Sequence, residues 1–254
     1  MTGYLQVVIE KARPYDVAVP ILASLLETTG STRVVDLASG AGGPWRGLLP
    51  TLQARGLAVQ VTLTDLAPNR TAAAELQTES GLAYHTDSVS AVDVPEHLRG
   101  VRTMFTALHH FDLTEVETIL RSAQRAGVGF AAFEASHRSW RGVLATAFIP
   151  LFVLLLMPLV KPRHAVSLLL TYLPPILPLL IWWDGFASTL RTHTASELRA
   201  VAEAIAEPGY TWRVEEVRVA GAPIPVLQVV GCPDGASQGS WLSGEASRGG
   251  RIGS

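Results

Sequence analysis

Apolar and polar positions alternate along this chain in two periods. Residues 15–28 (YDVAVPILASLLET) place apolar side chains at helical spacing and predict a leading helix. TRVVDLASGAGGPW then reads as an apolar strand running into glycines. GPWRGLLPTLQARG is helical in character and ends at a glycine suited to a C-terminal cap. VQVTLTD predicts a second strand, APNRTAAAELQTES a helix and GLAYHTD a short third strand. VRTMFTALHHF predicts a fourth strand, LTEVETILRSAQRAG an amphipathic helix and VGFAAFEAS a fifth strand. Strands alternating with helices predict an α/β fold with a parallel sheet covered on both faces. Further on, THTASELRAVAEAIAE predicts a helix opened by a capping box of Thr194 and Glu197. YTWRVEEVRV and IPVLQVVGC, joined by AGAP, predict an antiparallel β-hairpin. The tail from 233 to 254 has 11 Gly or Ser in 22 residues and no periodicity, which predicts disorder.

One segment breaks this pattern. Residues 148–183 (FIPLFVLLLMPLVKPRHAVSLLLTYLPPILPLLIWW) are hydrophobic enough for lipid. No charge occurs from Gly142 to Val160 or from Ala165 to Trp183, two runs of 19 residues each. A helix of that length reaches about 28 Å, near the thickness of a bilayer core. Lys161, Arg163 and His164 sit in the connection, and Pro174, Pro175 and Pro178 interrupt the second run. Three readings stand: a monotopic hairpin dipping into one leaflet with Arg138, Arg141, Lys161 and Arg163 at the headgroups, a water-exposed cap or dimer interface that makes a greasy pocket, and a two-pass hairpin. The last places basic residues on the far side, against the positive-inside tendency, and puts irregular backbone in lipid. The resulting division is 1–141 for the first five strands, 142–183 for the hydrophobic insertion, 184–232 for the rest of the core and 233–254 for the tail.

The net charge is −2, with 18 Arg and only 2 Lys, so no global field favours nucleic acid. A single cysteine, Cys232, excludes an intramolecular disulfide and cysteine clusters, and fits a reducing, cytoplasmic compartment. The N-terminus lacks the basic start and apolar run of a signal peptide. Lone His85, His137, His164 and His193 have no ligand-like spacing, so no metal is expected.

The chemistry concentrates at Asp36-Leu-Ala-Ser-Gly40-Ala-Gly42-Gly43. Glycines at a strand-to-helix turn let backbone approach a ligand. Asp65 ends the second strand, 23 residues after Gly42, where a carboxylate accepts ribose hydroxyls. Asp87, past the third strand, is placed to accept from an adenine amino group. The dinucleotide fingerprint G-x-G-x-x-G is incomplete because Trp45 stands at its third glycine. An acid within the loop also repels a pyrophosphate but tolerates an ammonium.

With these residues in view, the chain resembles the class I, Rossmann-like methyltransferases that use S-adenosylmethionine (SAM). VVDLASGAGGP looks like their first motif, TLTDLAPN their second, YHTDSVSA their third, and FTALHHF their fourth-strand motif; the terminal hairpin fits their reversed last strand. Ala38 stands where the family usually has its first glycine. The resemblance implies a seven-stranded sheet with a C-terminal antiparallel hairpin and SAM as cofactor. It implies that Asp36, Ala38, Ser39, Gly40 and Gly42 hold the methionine moiety. Asp65 and Leu66 would meet the ribose and adenine, Asp87 and Ser88 would flank the adenine, and Thr106 would lie near the amino acid part.

For catalysis, His109 and His110 sit where the family places residues nearest the sulfonium, and either can serve as a base; packing and helix capping are the alternative. Glu134, ending the fifth strand, is a base or anchor, or pairs with Arg138 one turn away. In WWDGFASTLR, Asp184, Ser188 and Arg191 fall on one helical face, facing substrate or else capping and solvated. Trp45, Tyr172, Asp184 and Arg191 are the candidate substrate residues. The expected activity is methyl transfer to a hydrophobic small-molecule or lipid-like acceptor, with 148–183 offering a membrane surface. A SAM-binding protein without transfer, a membrane-associated scaffold with a vestigial nucleoside site, and an NAD-dependent oxidoreductase are the rival readings.

Overall fold

A computed structural model describes residues 7–9, 13–76, 79–160, 165–219 and 224–234. The expected hairpin turn at 220–223, the basic connection Lys161 to His164 and nearly all of the tail lie outside these residues. The described chain runs α1 (Ala18–Thr29), β1 (Arg33–Asp36), α2 (Trp45–Ala54), β2 (Gln60–Leu63), α3 (Arg70–Leu76), β3 (Leu82–Tyr84), β4 (Val101–Phe105), a 3-10 turn (Leu108–His110), α4 (Leu113–Arg125) and β5 (Phe130–Glu134). The apolar segment follows as α5 (Trp140–Thr146), α6 (Ile149–Leu156), a 3-10 turn (Met157–Leu159), α7 (Ala165–Tyr172) and α8 (Ile176–Arg191). The chain closes with α9 (Ala195–Ala204), β6 (Tyr210–Val217) and β7 (Val226–Pro233).

The seven strands form one sheet in the order β3-β2-β1-β4-β5-β7-β6. β7 is antiparallel to both β5 and β6, and the pairs among β1 to β5 are parallel. This is the seven-stranded sheet with a reversed C-terminal hairpin that the sequence leads one to expect. Strands buried on both faces explain the near-continuous apolar runs: every residue of Phe130–Glu134 is buried. On one face α1 and α2 pack Leu22, Leu25, Trp45 and Leu52 against Val34, Val61 and Phe133. On the other, α4 and α9 pack Val116, Leu120 and Leu198 against Val35, Met104 and Ala132.

The order of strands has a consequence for position. The chain leaves β1 toward β2 on one side and enters β4 on the other, so a crevice opens at the carboxyl ends of β1 and β4. Asp36, Thr106 and the turn that carries His109 and His110 lie at that edge.

Local differences from the expected elements have physical causes. The fourth strand stops at Phe105 because Thr106 takes a left-handed backbone (φ +47°), and Leu108 to His110 then form a 3-10 turn. Two helices open on capping boxes, the expected one at Thr194 and a second at Asp112. Asp112 Oδ1 accepts from Thr114 and Glu115 amides at 2.9 Å while Glu115 accepts from the Asp112 amide, and Thr194 with Glu197 does the same for α9. The second apolar run breaks at 173–175, where α7 and α8 meet at a bend of 80°. Pro178, by contrast, sits within the first turn of α8, where a missing amide hydrogen costs no intrahelical bond. α8 therefore runs unbroken through the expected boundary at 183/184.

Candidate functional site

At the end of β1 the chain turns on residues with positive φ: Ala38 (+53°), Gly40 (+55°), Gly42 (+104°) and Gly43 (+52°). A Cβ on Gly42 would meet the Leu63 and Leu76 side chains, whereas around Gly40 the space is open. Ala38 keeps the left-handed conformation that a glycine would adopt freely. Such non-glycine backbone is disfavoured by roughly 1 kcal/mol or more and tends to persist where surrounding structure imposes it. Here that structure is hydrogen bonding to β2. Ser39 N donates to the Thr64 carbonyl at 2.9 Å, and Ser39 Oγ and Thr64 Oγ1 both donate to the Asp36 carbonyl at 2.8 Å.

Asp36 is 1% exposed. Thr103 Oγ1, from β4, donates to its Oδ1 at 2.6 Å, and no Lys or Arg pairs with it among the described residues. Burial pushes its carboxyl up from the ordinary 3.8 to about 6, against the opposing hydrogen bonds of Ser39 and Thr103 and the neighbouring Trp45 indole; the charge of Asp65 adds a small upward push. A buried carboxyl without a cation is a cradle for a positive ligand group.

Asp65 follows β2. Its Oδ2 accepts from Gly40 N at 2.8 Å and its Oδ1 from Ala67 N at 2.9 Å, so it braces the glycine turn from the neighbouring strand. Asp65 does not cap α3; Asn69 Oδ1 caps that helix by accepting from Ala72 N at 3.0 Å. Carboxylate oxygens carry two lone pairs each, so Asp65 keeps acceptor capacity for hydroxyls. Leu66, next to it, is 68% exposed. Asp87 is exposed, 4.0 Å from His85 Nε2, and Ser88 Oγ donates to the Leu66 carbonyl at 2.7 Å, tying the third loop to the second.

Two tyrosines that sequence reasoning did not single out complete this edge. Tyr84, at the end of β3, donates its hydroxyl to the Gly40 carbonyl at 2.9 Å and accepts from Asn69 N at 3.3 Å. Tyr15, just before α1, shares a short hydrogen bond with Thr106 Oγ1. Burial raises the Tyr15 phenol well above its ordinary value, which keeps it protonated. Its ring meets Phe105 edge-on at 5.1 Å, and Phe105 stacks on Phe133 at 5.2 Å. Nothing local in the sequence marks Tyr15, because its partner is 91 residues away.

Past β4, the 3-10 turn presents two histidines with different surroundings. His109 is buried, with Nδ1 3.0 Å from Glu134 Oε2; Glu134 Oε1 accepts from Leu108 N at 2.6 Å. The pairing of Glu134 with Arg138 is thereby corrected: β5 aims Glu134 inward at the turn, and Arg138 pairs with Glu197 of α9. His110 is exposed, its ring 4.1 Å from that of His109. Its pKa is lowered from the ordinary value, first by desolvation, then by His109 and Arg191, with Glu134 and Asp184 pulling the other way. Asp184 and Arg191 act on His110 because α8, which carries them, packs against the turn. Asp184 lies within α8 and not at its start, so capping is not its part. Ser136 links Glu134 Oε2 (3.3 Å) to Thr192 Oγ1 (2.7 Å) just past α8.

Two candidate substrate residues are not brought to this cluster. Trp45 is fully buried, edge-on to Phe105 at 5.7 Å; it packs beneath the glycine turn, out of reach of an acceptor, because α2 turns its first residue into the core. Tyr172 is half exposed on α7, and its hydroxyl donates to the Leu154 carbonyl at 2.7 Å inside the apolar segment. Among the described residues no group of three or more His, Cys, Asp or Glu could hold a metal ion.

No family model matches the chain, and the comparison with curated proteins finds no match. Similar solved structures include an O-methyltransferase family protein from Burkholderia thailandensis, 16% identical over 86% of this chain and 56% of that one, with a TM-score of 0.48. Human N-acetylserotonin methyltransferase in complex with SAM is 12% identical over 85% of this chain and 52% of that one, with a TM-score of 0.45. The pyocyanin biosynthetic protein PhzM is 13% identical over 89% of this chain and 56% of that one, with a TM-score of 0.49. The chain thus spans little more than half the length of these proteins.

Proposed function

We propose that this chain is a SAM-dependent methyltransferase acting on a hydrophobic small-molecule or lipid-like acceptor. The observation that carries the reading is the buried, cation-free Asp36 at a positive-φ glycine turn, followed by acids after β2 and β3 along one sheet edge. That set fits an adenosine bearing an ammonium. Asp36 would balance the α-ammonium, in concert with the turn from Ala38 to Gly42. Asp65 would accept the ribose hydroxyls, Leu66 would give the adenine an apolar face, and Asp87 with Ser88 would flank its edge. Thr106, fixed by Tyr15, would border the amino acid part. The bound cofactor supplies an electrophilic methyl group on its sulfonium.

What remains for the chain is to align an acceptor and, where the acceptor carries a proton, to remove it. His110 suits that task better than His109. Its lowered pKa leaves the ring neutral at neutral pH, and it stands at the exposed side of the turn beside Asp184 and Arg191. The His109–Glu134 contact, with Ser136 and Thr192 behind it, holds the turn in place and makes both positioning residues. The apolar character of the acceptor is supported by the hydrophobic helices that adjoin this cluster through α8.

Calorimetric titration with SAM and S-adenosylhomocysteine tests the reading. The wild-type chain should bind both, and Asp65→Ala should weaken binding about 10- to 100-fold, the worth of hydrogen bonds to a charged acceptor. Unchanged affinity in a folded variant would overturn the site assignment. Bound SAM that is never converted to S-adenosylhomocysteine, whatever apolar acceptor is offered, would favour a binding protein without transfer.

A further inference from the structure

The helical segment between β5 and α9 turns most of its large apolar side chains outward. Apart from Leu66 and Leu113, every exposed large apolar side chain among the described residues lies between Trp140 and Leu190. On α7 the buried residue is Thr171, while Val166 and Leu169 are 66% and 58% exposed. Thr146, Thr189 and Thr192 are buried likewise. Each of the four threonines donates its hydroxyl to a carbonyl three or four residues back on the same segment, so the inward polar groups are satisfied locally. α6 has no polar residue at all and buries only Val153. The stretch Trp140–Leu159 has a mean hydropathy of 2.4 with 22% of its most apolar window buried. Water disfavours such a surface; a soluble helix keeps its apolar stripe inward.

We propose that this layer docks into one leaflet of an anionic lipid bilayer. Three observations favour lipid over a second copy of the chain. The exposed face carries aliphatic side chains with Phe148, Phe152 and Tyr172 among them and few groups able to hydrogen-bond a partner, whereas protein interfaces place about one hydrogen bond per 100–200 Å². Aromatic and basic groups lie at its border: Trp140 is 71% exposed with the Arg141 guanidinium over its ring, and Trp183 is 61% exposed. That is the arrangement of a headgroup belt. The sequence adds Lys161 and Arg163 between the two runs.

Connectivity limits the depth. β5 before the segment and α9 after it belong to the same sheet domain, so the chain crosses a bilayer twice or not at all. The first limb is long enough to cross. The second is bent by 80° between α7 and α8, and neither α7 nor the uncharged start of α8 exceeds about 12 Å, against ~30 Å of hydrocarbon. Neither limb therefore crosses. α8 lies close on α6 here: a Cβ on Gly185 would lie 2.5 Å from the tip of the Ile149 side chain.

The experiment is co-flotation of the full chain with phosphatidylcholine vesicles, with and without phosphatidylglycerol. The wild type should float with the anionic vesicles, and Leu155→Glu should reduce the bound fraction at least tenfold. Leu113→Glu, an exposed leucine outside the layer, should leave it unchanged. A fluorophore on Leu155→Cys should be quenched more by lipids brominated high on the acyl chain than by lipids brominated near the terminal methyl. No flotation, equal loss in both Glu variants, or quenching strongest at the bilayer centre would overturn the proposal. So would a concentration-dependent dimer in light scattering that Leu155→Glu dissolves, since a second copy would then cover the layer. SAM titration of the same samples separates this outcome from the cofactor reading: docking without SAM binding, or binding without docking, would fail only one of the two.

Discussion

Asp36 is the residue on which opposing forces are best resolved. Its carboxyl is desolvated, and three neighbours favour the charged form without restoring an ordinary pKa. An acid whose folded pKa lies above its unfolded value binds its proton more tightly when folded. The folded state is therefore favoured below pH 4, and that advantage is lost as pH rises toward about 6. The difference amounts to about 3 kcal/mol at most. Asp36→Asn should raise the thermal midpoint at pH 7 and flatten its fall between pH 4 and 6, as differential scanning calorimetry would read. The same variant should weaken SAM binding, because it removes the counter-charge for an ammonium. A variant less stable than wild type at pH 7 would mean that the carboxylate is compensated in the folded chain. Ala38 shows the limit of a motif at this scale. Its methyl group stands on a backbone of φ +53°, which a glycine would adopt freely, and the turn forms nonetheless.

At the scale of elements, the site depends on short pieces held by caps and cross-links. The turn Leu108–His110 has few bonds of its own. It is fixed on one side by Glu134 and on the other by α4, whose capping box begins two residues after His110. Asp112→Ala should cost about 1 kcal/mol of stability, the usual worth of such a cap, and denaturant titration would measure it. The cofactor edge, built from β1, β2 and β3, should keep its SAM affinity in that variant. The elements themselves were legible where periodicity was long: α1, α4, α9 and the two hairpin strands fall where the pattern puts them, within a few residues. Boundaries set by a single φ, as at Thr106, leave no trace in periodicity.

For the whole molecule, the apolar layer has a small core of its own, Val153, Met157 and Ile181, distinct from the two cores that clamp the sheet. Replacing 148–181 by a short Gly/Ser linker should thus leave the sheet folded and SAM binding intact, while abolishing vesicle flotation. Circular dichroism and calorimetry on the shortened chain check this; loss of folding would make the layer part of the main core.

The alternation of strands and helices, the antiparallel C-terminal hairpin and the glycine turn with its three acids follow from the sequence, because strands, tight turns and helix starts each demand particular residues close together in the chain. Tertiary structure decided the partnerships: Glu134 with His109 and not Arg138, Tyr15 with Thr106, Trp45 in the core and not at an acceptor, and α8 laid beside His110. These join residues that are remote along the chain or that compete for one partner, and only packing of the layers selects among them. The direction in which the apolar helices face was also decided there. Composition marks 148–183 as hydrophobic, but whether those side chains point inward or outward depends on which few of them the sheet domain has room to cover.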